Sequence, residues 1–415
     1  MAATRVGEYY DRQEVRDAPS RRAQVFNALP GLVRHAIDNA PAIAERLSGV
    51  DPTEINTSEA LARLPVLRKA DLMARQRANL PFGGLVATPN HRLAKLFCSP
   101  GPIYDPESPR IDYWRLARAM FAAQFRHGDL IHNAFSYHLT PAGSMVEGAA
   151  RALACPVIPA GTGQTERQVQ IIHELKPTAY AGTPSFLSIL LERAAADGLD
   201  SSSITKALVS GEAFPPTLRD ELRHEHGIEA FECYATADVG LIGYETSARE
   251  GLVVDEAVLL EIVRPGTDDP VPEGEVGEVV VTTFNPDYPL IRYGTGDLSM
   301  VMAGESPCGR TNVRIKGWMG RADQSAKVRG MFVHPSQMRE ITVKHSEIRR
   351  LRLEVSRDAD QDALVLKVET PFQDARLGEA ISSSMRAVTG LRSEVELVAC
   401  DSLPNDGKVI DDKRG

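Results

Sequence analysis

Four short segments of this 415-residue chain concentrate side chains able to hold anions, metals and hydroxyl groups. They are Val209-Ser210-Gly211-Glu212, then Tyr234-Ala235-Thr236-Ala237-Asp238-Val239-Gly240, then Ile291-Arg292-Tyr293-Gly294-Thr295-Gly296-Asp297, and then Gly320-Arg321-Ala322-Asp323 followed by Lys327-Val328-Arg329-Gly330. A fifth, Leu403-Pro404-Asn405-Asp406-Gly407-Lys408, lies near the C-terminus. Carboxylates such as Asp238 and Asp297 accept hydrogen bonds from hydroxyl groups and are hard-oxygen ligands for a divalent cation. Arg321, Lys327, Arg329 and Lys408 offer charge-assisted donors to phosphates and carboxylates. Glycine in these turns allows a ligand to approach the backbone closely, and the face of Tyr234 is a platform for a base.

Such residues need elements to position them. Leu29, Leu32, Val33, Ala36, Ile37 and Ala40 recur at helical spacing, so the first 75 residues read as helical, with Pro41 kinking or ending that helix. A second helical stretch, Glu59 to Leu64, stops at Pro65. From Leu130 onward short β-rich runs alternate with amphipathic stretches. The strands expected are Leu130–Tyr137, Cys155–Ala160, Thr178–Gly182, Lys206–Ser210 and Ile228–Cys233. The helices between them are Thr165–Leu175, with Thr165 as N-cap, and Ser185–Ala196, opening on Ser185. This alternation predicts a parallel sheet covered by helices, with ligands gathered outside the carboxyl ends of its strands. Ala257–Val263 and Glu278–Phe284 form a second β-rich block. The last 95 or so residues read as a separate α+β unit: strands near Arg350–Val355, Ala363–Glu369 and Glu394–Val398, and a helix near Ala375–Val388. The Gly-rich, charged stretch Lys316 to Gly330 is the natural hinge.

Composition narrows the class. A formal net charge of −9 argues against a nucleic-acid binder, although a local basic cleft can still take a small anion. No apolar run reaches the 18 or so residues of a membrane helix, and the polar start of the chain is not a secretion signal, so a cytoplasmic protein is expected. The five cysteines are scattered, which supports neither a disulfide framework nor a cysteine-only zinc site.

Taken in order, the segments resemble the adenylate-forming superfamily of acyl-CoA synthetases, adenylation domains and luciferases, and within it the phenylacetate–coenzyme A ligase family. The likeness runs over nearly the whole chain. Tyr9-Tyr10-Asp11, Leu29-Pro30-Gly31-Leu32-Val33-Arg34-His35-Ala36, Val157-Ile158-Pro159-Ala160-Gly161 with Thr165-Glu166-Arg167-Gln168, and Ala181-Gly182-Thr183-Pro184-Ser185 carry it further. The resemblance implies a large N-terminal adenylate-forming α/β domain, residues 1–318, with helix-covered sheets. It also implies a small mobile C-terminal α+β domain, residues 319–415, hinged near Asp323. The implied reaction has two steps. A carboxylic acid attacks ATP, with Mg²⁺, to give an acyl-adenylate and pyrophosphate, and the thiol of coenzyme A then displaces AMP.

The resemblance also assigns roles. Asp297 would hold the ribose hydroxyls and Arg321 the ribose or phosphate region. Tyr234 would stack on adenine, and Gly211 and Glu212 would line its pocket. Asp238 stands where the family commonly has a glutamate that helps hold Mg²⁺, and Glu245 is a second candidate carboxylate. Ala237 replaces a usual hydroxyl residue, which leaves open whether Thr236 substitutes for it at the α-phosphate. Lys408 would be the catalytic lysine of adenylation. Lys327, Arg329 and Gly330 would flank the coenzyme A channel in thiolation. Each has a plain structural alternative: Asp297 as a turn aspartate, Tyr234 as a core tyrosine, Lys408 as a solvated lysine.

One part of the pattern is broken. The family's Ser/Thr/Gly-rich phosphate loop with its lysine is absent, and Phe97-Cys98-Ser99-Pro100-Gly101-Pro102-Ile103-Tyr104-Asp105-Pro106 stands in its place. Ser99 and Gly101 remain, but prolines remove backbone donors that a phosphate cradle depends on. This reads either as an alternative loop or as weakened use of ATP. Tyr137, His138, Ala181, Gly182 and Pro184 follow strand ends and would wall the acyl pocket, with His138 equally readable as a hydrogen-bonded core histidine. The expected activity is an AMP-forming ligase for an aryl or arylacetic acid, a homodimer being the oligomeric expectation. A carrier-protein thiol or an amine is the alternative acceptor, and a non-catalytic nucleotide- or acyl-binding protein the alternative class.

Overall fold

Asp17 accepts the amide of Ser20 at 2.8 Å and so starts the helix Ala18–Asn39 in the computed structural model of the protein. The structure describes residues 8–99, 102–324, 326–328, 331–358, 361–404 and 408–414. Leu29, Val33 and Ala36 line the buried face of that helix, as their spacing requires. Pro41 ends it and begins a new one, Pro41–Arg46, sitting in the first turn where its missing N–H costs nothing.

The chain divides into two compact units. The larger holds Met1–Val263, Asp268–Thr295 and Met300–Gly317; the smaller holds Arg264–Thr267, Gly296–Ser299 and Trp318–Gly415. In the larger unit five parallel strands form the expected α/β layer, in the order Val157–Pro159, Ile131–Asn133, Ala179–Gly182, Lys206–Val209 and Glu229–Thr236. The first four ladders are shorter than the β-rich runs of sequence, because residues such as Ser136 and Ser210 lie beyond the strand ends, whereas the fifth runs on past the expected Cys233 to Thr236. From Glu229–Thr236 the sheet continues antiparallel through Gly240–Tyr244, Leu252–Val254, Arg314–Ile315 and Val301–Met302. The helices Ala142–Ala152, Thr165–Leu175, Pro184–Ala196 and Pro216–His224 connect the parallel strands.

Two caps differ from expectation. Thr165 is the first helical residue, and the N-cap is Gln164 in a left-handed conformation. Thr183, not Ser185, caps the next helix, accepting from the Phe186 amide at 3.4 Å with Pro184 following in the first turn.

A second sheet joins Leu67–Arg68, Tyr293–Ser299, Gly277–Thr283 and Val258–Val263. Arg292 locks it to the helical N-terminal region. This fully buried guanidinium pairs with Glu261 at 3.0 Å and donates to the carbonyls of Ala62, Leu64 and Asp268, while its own carbonyl accepts from the Leu67 amide at 2.8 Å. A buried charge persists only when it is fully paired in this way.

The smaller unit orders its main sheet Glu394–Val398, Gln361–Glu369, Arg350–Asp358, Ile410–Asp412, with outer pairs parallel and the central pair antiparallel. The helices Pro335–Lys344 and Ala375–Thr389 cover it, burying Met338, Ile341, Ile381 and Met385 against Leu353, Val355, Leu366 and Val368. Gly390 takes the left-handed conformation that ends the second helix. A hairpin, Ala326–Val328 with Met331–Val333, precedes both helices.

Candidate active site

In the larger unit the turns after the parallel strands bring together Ala181, Gly182, Pro184, Gly211 and Glu212. Gly182 has no room for a side chain, since a Cβ would lie 2.2 Å from the Tyr180 hydroxyl, which itself donates to the Thr183 carbonyl at 3.0 Å. Gly211 has φ +88°, a conformation glycine adopts without strain. Glu212 turns back and accepts the Ser185 amide at 2.7 Å. A carboxylate at this helix N-terminus is favoured by the helix dipole, and here it ties two of the predicted turns together.

The next strand ends in Thr236, whose hydroxyl accepts the Val239 amide at 3.2 Å. That turn presents Asp238, which is buried and ion-paired through Oδ2 with Lys69 Nζ at 3.2 Å. Lys69 is the first residue of the helix Lys69–Ala78. The same helix is fastened to the strand Ile103–Glu107 by Gln76, which exchanges two 2.8 Å hydrogen bonds with the backbone of Tyr104. That strand carries Asp105.

Ser99 and Asp105 correct the picture of a phosphate loop. Lys95–Ser99 and Ile103–Glu107 pair antiparallel, with Ser99 opposite Ile103. Ser99 is buried, and its hydroxyl donates to Asp105 Oδ2 at 3.0 Å, inward rather than toward a loop. Burial, and then the charge of Asp238, hold the Asp105 carboxyl well above the usual carboxylate range. The other expected loop residue, Gly101, lies outside the described residues, as do Arg329 and Gly330.

Tyr234 is 8 % exposed and packs in the core, with its hydroxyl donating to Thr295 Oγ1 at 3.2 Å. Its ring is therefore largely covered where a base platform needs an open face. Glu245 is engaged elsewhere than at a metal. Its Oε2 meets Arg219 at 2.8 Å and Arg249 at 2.7 Å and accepts the Glu232 amide at 3.1 Å. Tyr137 donates to Glu147 at 3.0 Å and accepts from Asn133 at 2.7 Å, its hydroxyl pKa raised by burial first and the Glu147 charge second. His138 is exposed, which removes the core-histidine alternative.

In the smaller unit Asp297 is buried, and Oδ1 accepts from Arg321 Nη1 at 3.1 Å and from the Trp318 indole at 3.2 Å. The backbone of Gly320 and Met319 pairs with Leu298 at 2.8 and 2.9 Å, which sets Arg321 opposite Asp297. Lys408 pairs with Asp411 at 3.0 Å and is half exposed. Gln324 accepts the Val409 amide at 3.2 Å, linking the segment after Asp323 to the Lys408 region. The backbone of Lys327 lies in the hairpin opposite Phe332.

Sequence reasoning missed Lys69, Asp105 and Trp318 as site residues. Lys69 and Asp238 are 169 positions apart, and no local pattern connects them. Trp318 carried a signal, a lone tryptophan inside a glycine-rich stretch.

The fit of a magnesium ion rests on Asp238, whose Oδ1 is buried without a hydrogen-bond partner. It offers a hard oxygen donor.

Comparison with known proteins identifies the family. Residues 120–285 match the family described as AMP-binding enzyme. The chain is 31 % identical over 370 residues to a phenylacetate–coenzyme A ligase of Thermus thermophilus, covering 85 % of this chain and 82 % of that one. It is 30 % identical over 402 residues to the ligase of that name from Aromatoleum evansii, covering 91 % and 90 %. The structure matches an open conformation of 2-hydroxyisobutyryl-CoA ligase in complex with 2-HIB-AMP and CoA, with a TM-score of 0.86, 26 % identity, and coverage of 99 % and 95 %. The likeness thus extends through both units and both ends of the motif series, and the chain belongs to the phenylacetate–coenzyme A ligase family of AMP-binding enzymes.

Proposed function

We propose that the protein couples ATP to the activation of an aryl or arylacetic acid, forming an acyl-adenylate and pyrophosphate, and then transfers the acyl group to the thiol of coenzyme A with release of AMP. One observation carries this reading: a 26 % identical ligase holding both an acyl-adenylate and CoA matches 99 % of the chain. The name shared by the curated relatives supports an arylacetic substrate.

The residues take the following parts. Asp297 accepts the ribose hydroxyls, with Arg321 fixed beside it as a cation for the phosphate. Gly211 and Glu212 line the adenine pocket, and the Glu212–Ser185 bond holds that turn. Tyr234 serves by fixing Thr295 rather than by an open stacking face. Asp238 is the carboxylate for magnesium, which when bound with ATP neutralises charge on the phosphates. Lys408 meets the charge that develops between the substrate carboxylate and the α-phosphate, where a placed cation is most effective. The small domain turns at Asp323 between the two steps, and the loop from Lys327 to Gly330 serves the coenzyme A side. Ala181, Gly182, Pro184, Tyr137 and His138 border the acid.

The test is pyrophosphate release with a panel of carboxylic acids, with and without coenzyme A, with the thioester identified by mass. Release with arylacetic acids together with a CoA thioester is expected. Release without a CoA product identifies a carrier thiol or an amine as acceptor. No release with any acid overturns the reading in favour of a binding protein.

A further inference from the structure

Tyr137 follows the strand Ile131–Asn133 and is 37 % exposed, yet its ring is fixed from three directions. A Cβ built on Gly143 would lie 2.9 Å from each of Cγ, Cδ1 and Cε1 of that ring. Equal distances to three consecutive ring atoms put the point over the face of the ring rather than beside its edge. The ring therefore lies flat on the Gly143 backbone. At Gly161 a Cβ would stand 3.7 Å from Cδ2, an ordinary contact. The phenol is tethered as well, donating to Glu147 Oε1 at 3.0 Å and accepting from Asn133 Nδ2 at 2.7 Å. Burial and the Glu147 charge raise its pKa, which keeps it a donor.

The same residues hold the glycine beneath. The Gly143 amide donates to the Ser136 carbonyl at 3.0 Å, and its carbonyl accepts from Asn133 Nδ2 at 3.0 Å. Asn133 is fully buried; its Oδ1 takes the Phe135 amide at 3.2 Å, and its carbonyl takes the amides of Ala160 and Gly161. Ring and glycine thus share one anchor. With one face covered and the hydroxyl held, Tyr137 presents its other face, and an open aromatic face is a platform for a second planar ring. A side chain at position 143 would have to lift the tyrosine, because the backbone there is bonded on both sides. Going from 2.9 Å to an ordinary carbon contact of about 3.5 Å moves the ring by about 0.6 Å or more toward the open side.

We propose that Gly143 is a specificity-determining residue of the acid pocket, letting Tyr137 lie low enough to leave a slot for a planar aryl ring, with Asn133 and Glu147 as the positioning residues that hold the slot open. This deepens, and rests on, the reading of Tyr137 as a border of the acid.

The experiment measures KM for phenylacetic acid and for ATP, from pyrophosphate release by the full chain. Gly143→Ala should raise KM for the acid by about tenfold or more, the scale of a methylene misfit in a substrate pocket, and leave KM for ATP within about twofold. In a Tyr137→Ala background the same substitution should cost nothing further, because the ring it displaces is gone. Glu147→Ala should raise KM for the acid a few-fold, and Glu147→Gln, which keeps an acceptor for the phenol, should restore it. Circular dichroism accompanies each variant; if Gly143→Ala does not fold, the two Glu147 variants carry the test. A folded Gly143→Ala protein with unchanged KM for the acid overturns the proposal. Equal losses in both backgrounds, an equal rise in KM for ATP, or a Glu147→Ala protein like the parent do the same. Binding without turnover is read from fluorine NMR of a ring-fluorinated phenylacetic acid. Pyrophosphate release that Gly143→Ala leaves untouched sinks the slot and keeps the ligase reading. Fluorinated-acid binding that Gly143→Ala weakens, in a protein that never releases pyrophosphate, does the reverse.

Discussion

Replacing Lys408 by alanine separates the two half-reactions. In the structure Lys408 is half exposed and pairs at 3.0 Å with Asp411 of the C-terminal strand. A partly exposed pair of this kind contributes about 0–1 kcal/mol to folding, so the variant should melt within a few degrees of the parent. Its effect on chemistry is far larger. Removing one placed donor from a developing anion costs about 2.7–4 kcal/mol, or 10²–10³ in rate. Pyrophosphate release with acid and ATP should therefore fall by about that factor. Thioester formation from supplied acyl-adenylate and coenzyme A should stay within about twofold, since no phosphate charge then needs neutralising by this group. Lys413→Ala is the matched control, because Lys413 is committed to Glu354 at 2.8 Å and should leave both steps unchanged. Equal loss of the two half-reactions in Lys408→Ala, or undiminished pyrophosphate release, would refute the assignment.

Other outcomes follow from the same geometry. Asp297→Asn removes the charge that holds Arg321 and the Trp318 indole; at roughly 1.5–3 kcal/mol per charged hydrogen bond, the KM for ATP should rise by about 10² or more, and the penalty should shrink with a dideoxyribose analogue. Trp318 is the exposed one of the two tryptophans, Trp114 being buried, so AMP or acyl-adenylate binding at Asp297 should change the intrinsic fluorescence, and Trp318→Phe should abolish the change. Burial raises the Asp112 carboxyl to about 7 against an ordinary 3.8. Its ionisation therefore costs the folded state progressively as pH rises from about 4 to 7. Asp112→Asn should match the parent in stability near pH 4 and exceed it by about 2 kcal/mol above pH 7, after allowance for partial exposure. Denaturant melts at the two pH values check this, and an equal gain at both would contradict it.

Much of the fold was legible in the sequence where local chemistry and tertiary demand agree. The helix Thr165–Leu175 and the strand Glu394–Val398 have the bounds their patterns imply. The parallel layer follows from alternation alone. The antiparallel continuation was not legible, because strands as short as Leu252–Val254 and Arg314–Ile315 are too brief to show a period. The helix Pro335–Lys344 went unread for a different reason: a charged, glycine-containing stretch precedes it, and its capping box is a histidine and a glutamine. For the site, Asp297 and Arg321 were each named from the resemblance, while their contact comes from the backbone bridge between them, which sequence does not display. Lys69, Asp105 and Asp238 meet only through long-range folding, and the identity of each residue alone did not reveal that. The roles of Tyr234 and Glu245 turned on burial and on arginine neighbours, which sequence does not display.

Arg292 has a consequence for how this protein can be altered. Its guanidinium draws on carbonyls of Ala62 and Leu64 and on Glu261. The helical beginning of the chain is thus part of the wiring of the second sheet. Trimming those helices, or permuting the chain so that it starts after them, would strand a cation in the interior, at a cost of about 3–5 kcal/mol. Excising the apparent catalytic part of the chain is therefore expected to give insoluble protein. Chimeras between relatives should exchange the N-terminal helices and the Arg292 strand together, as one inherited block.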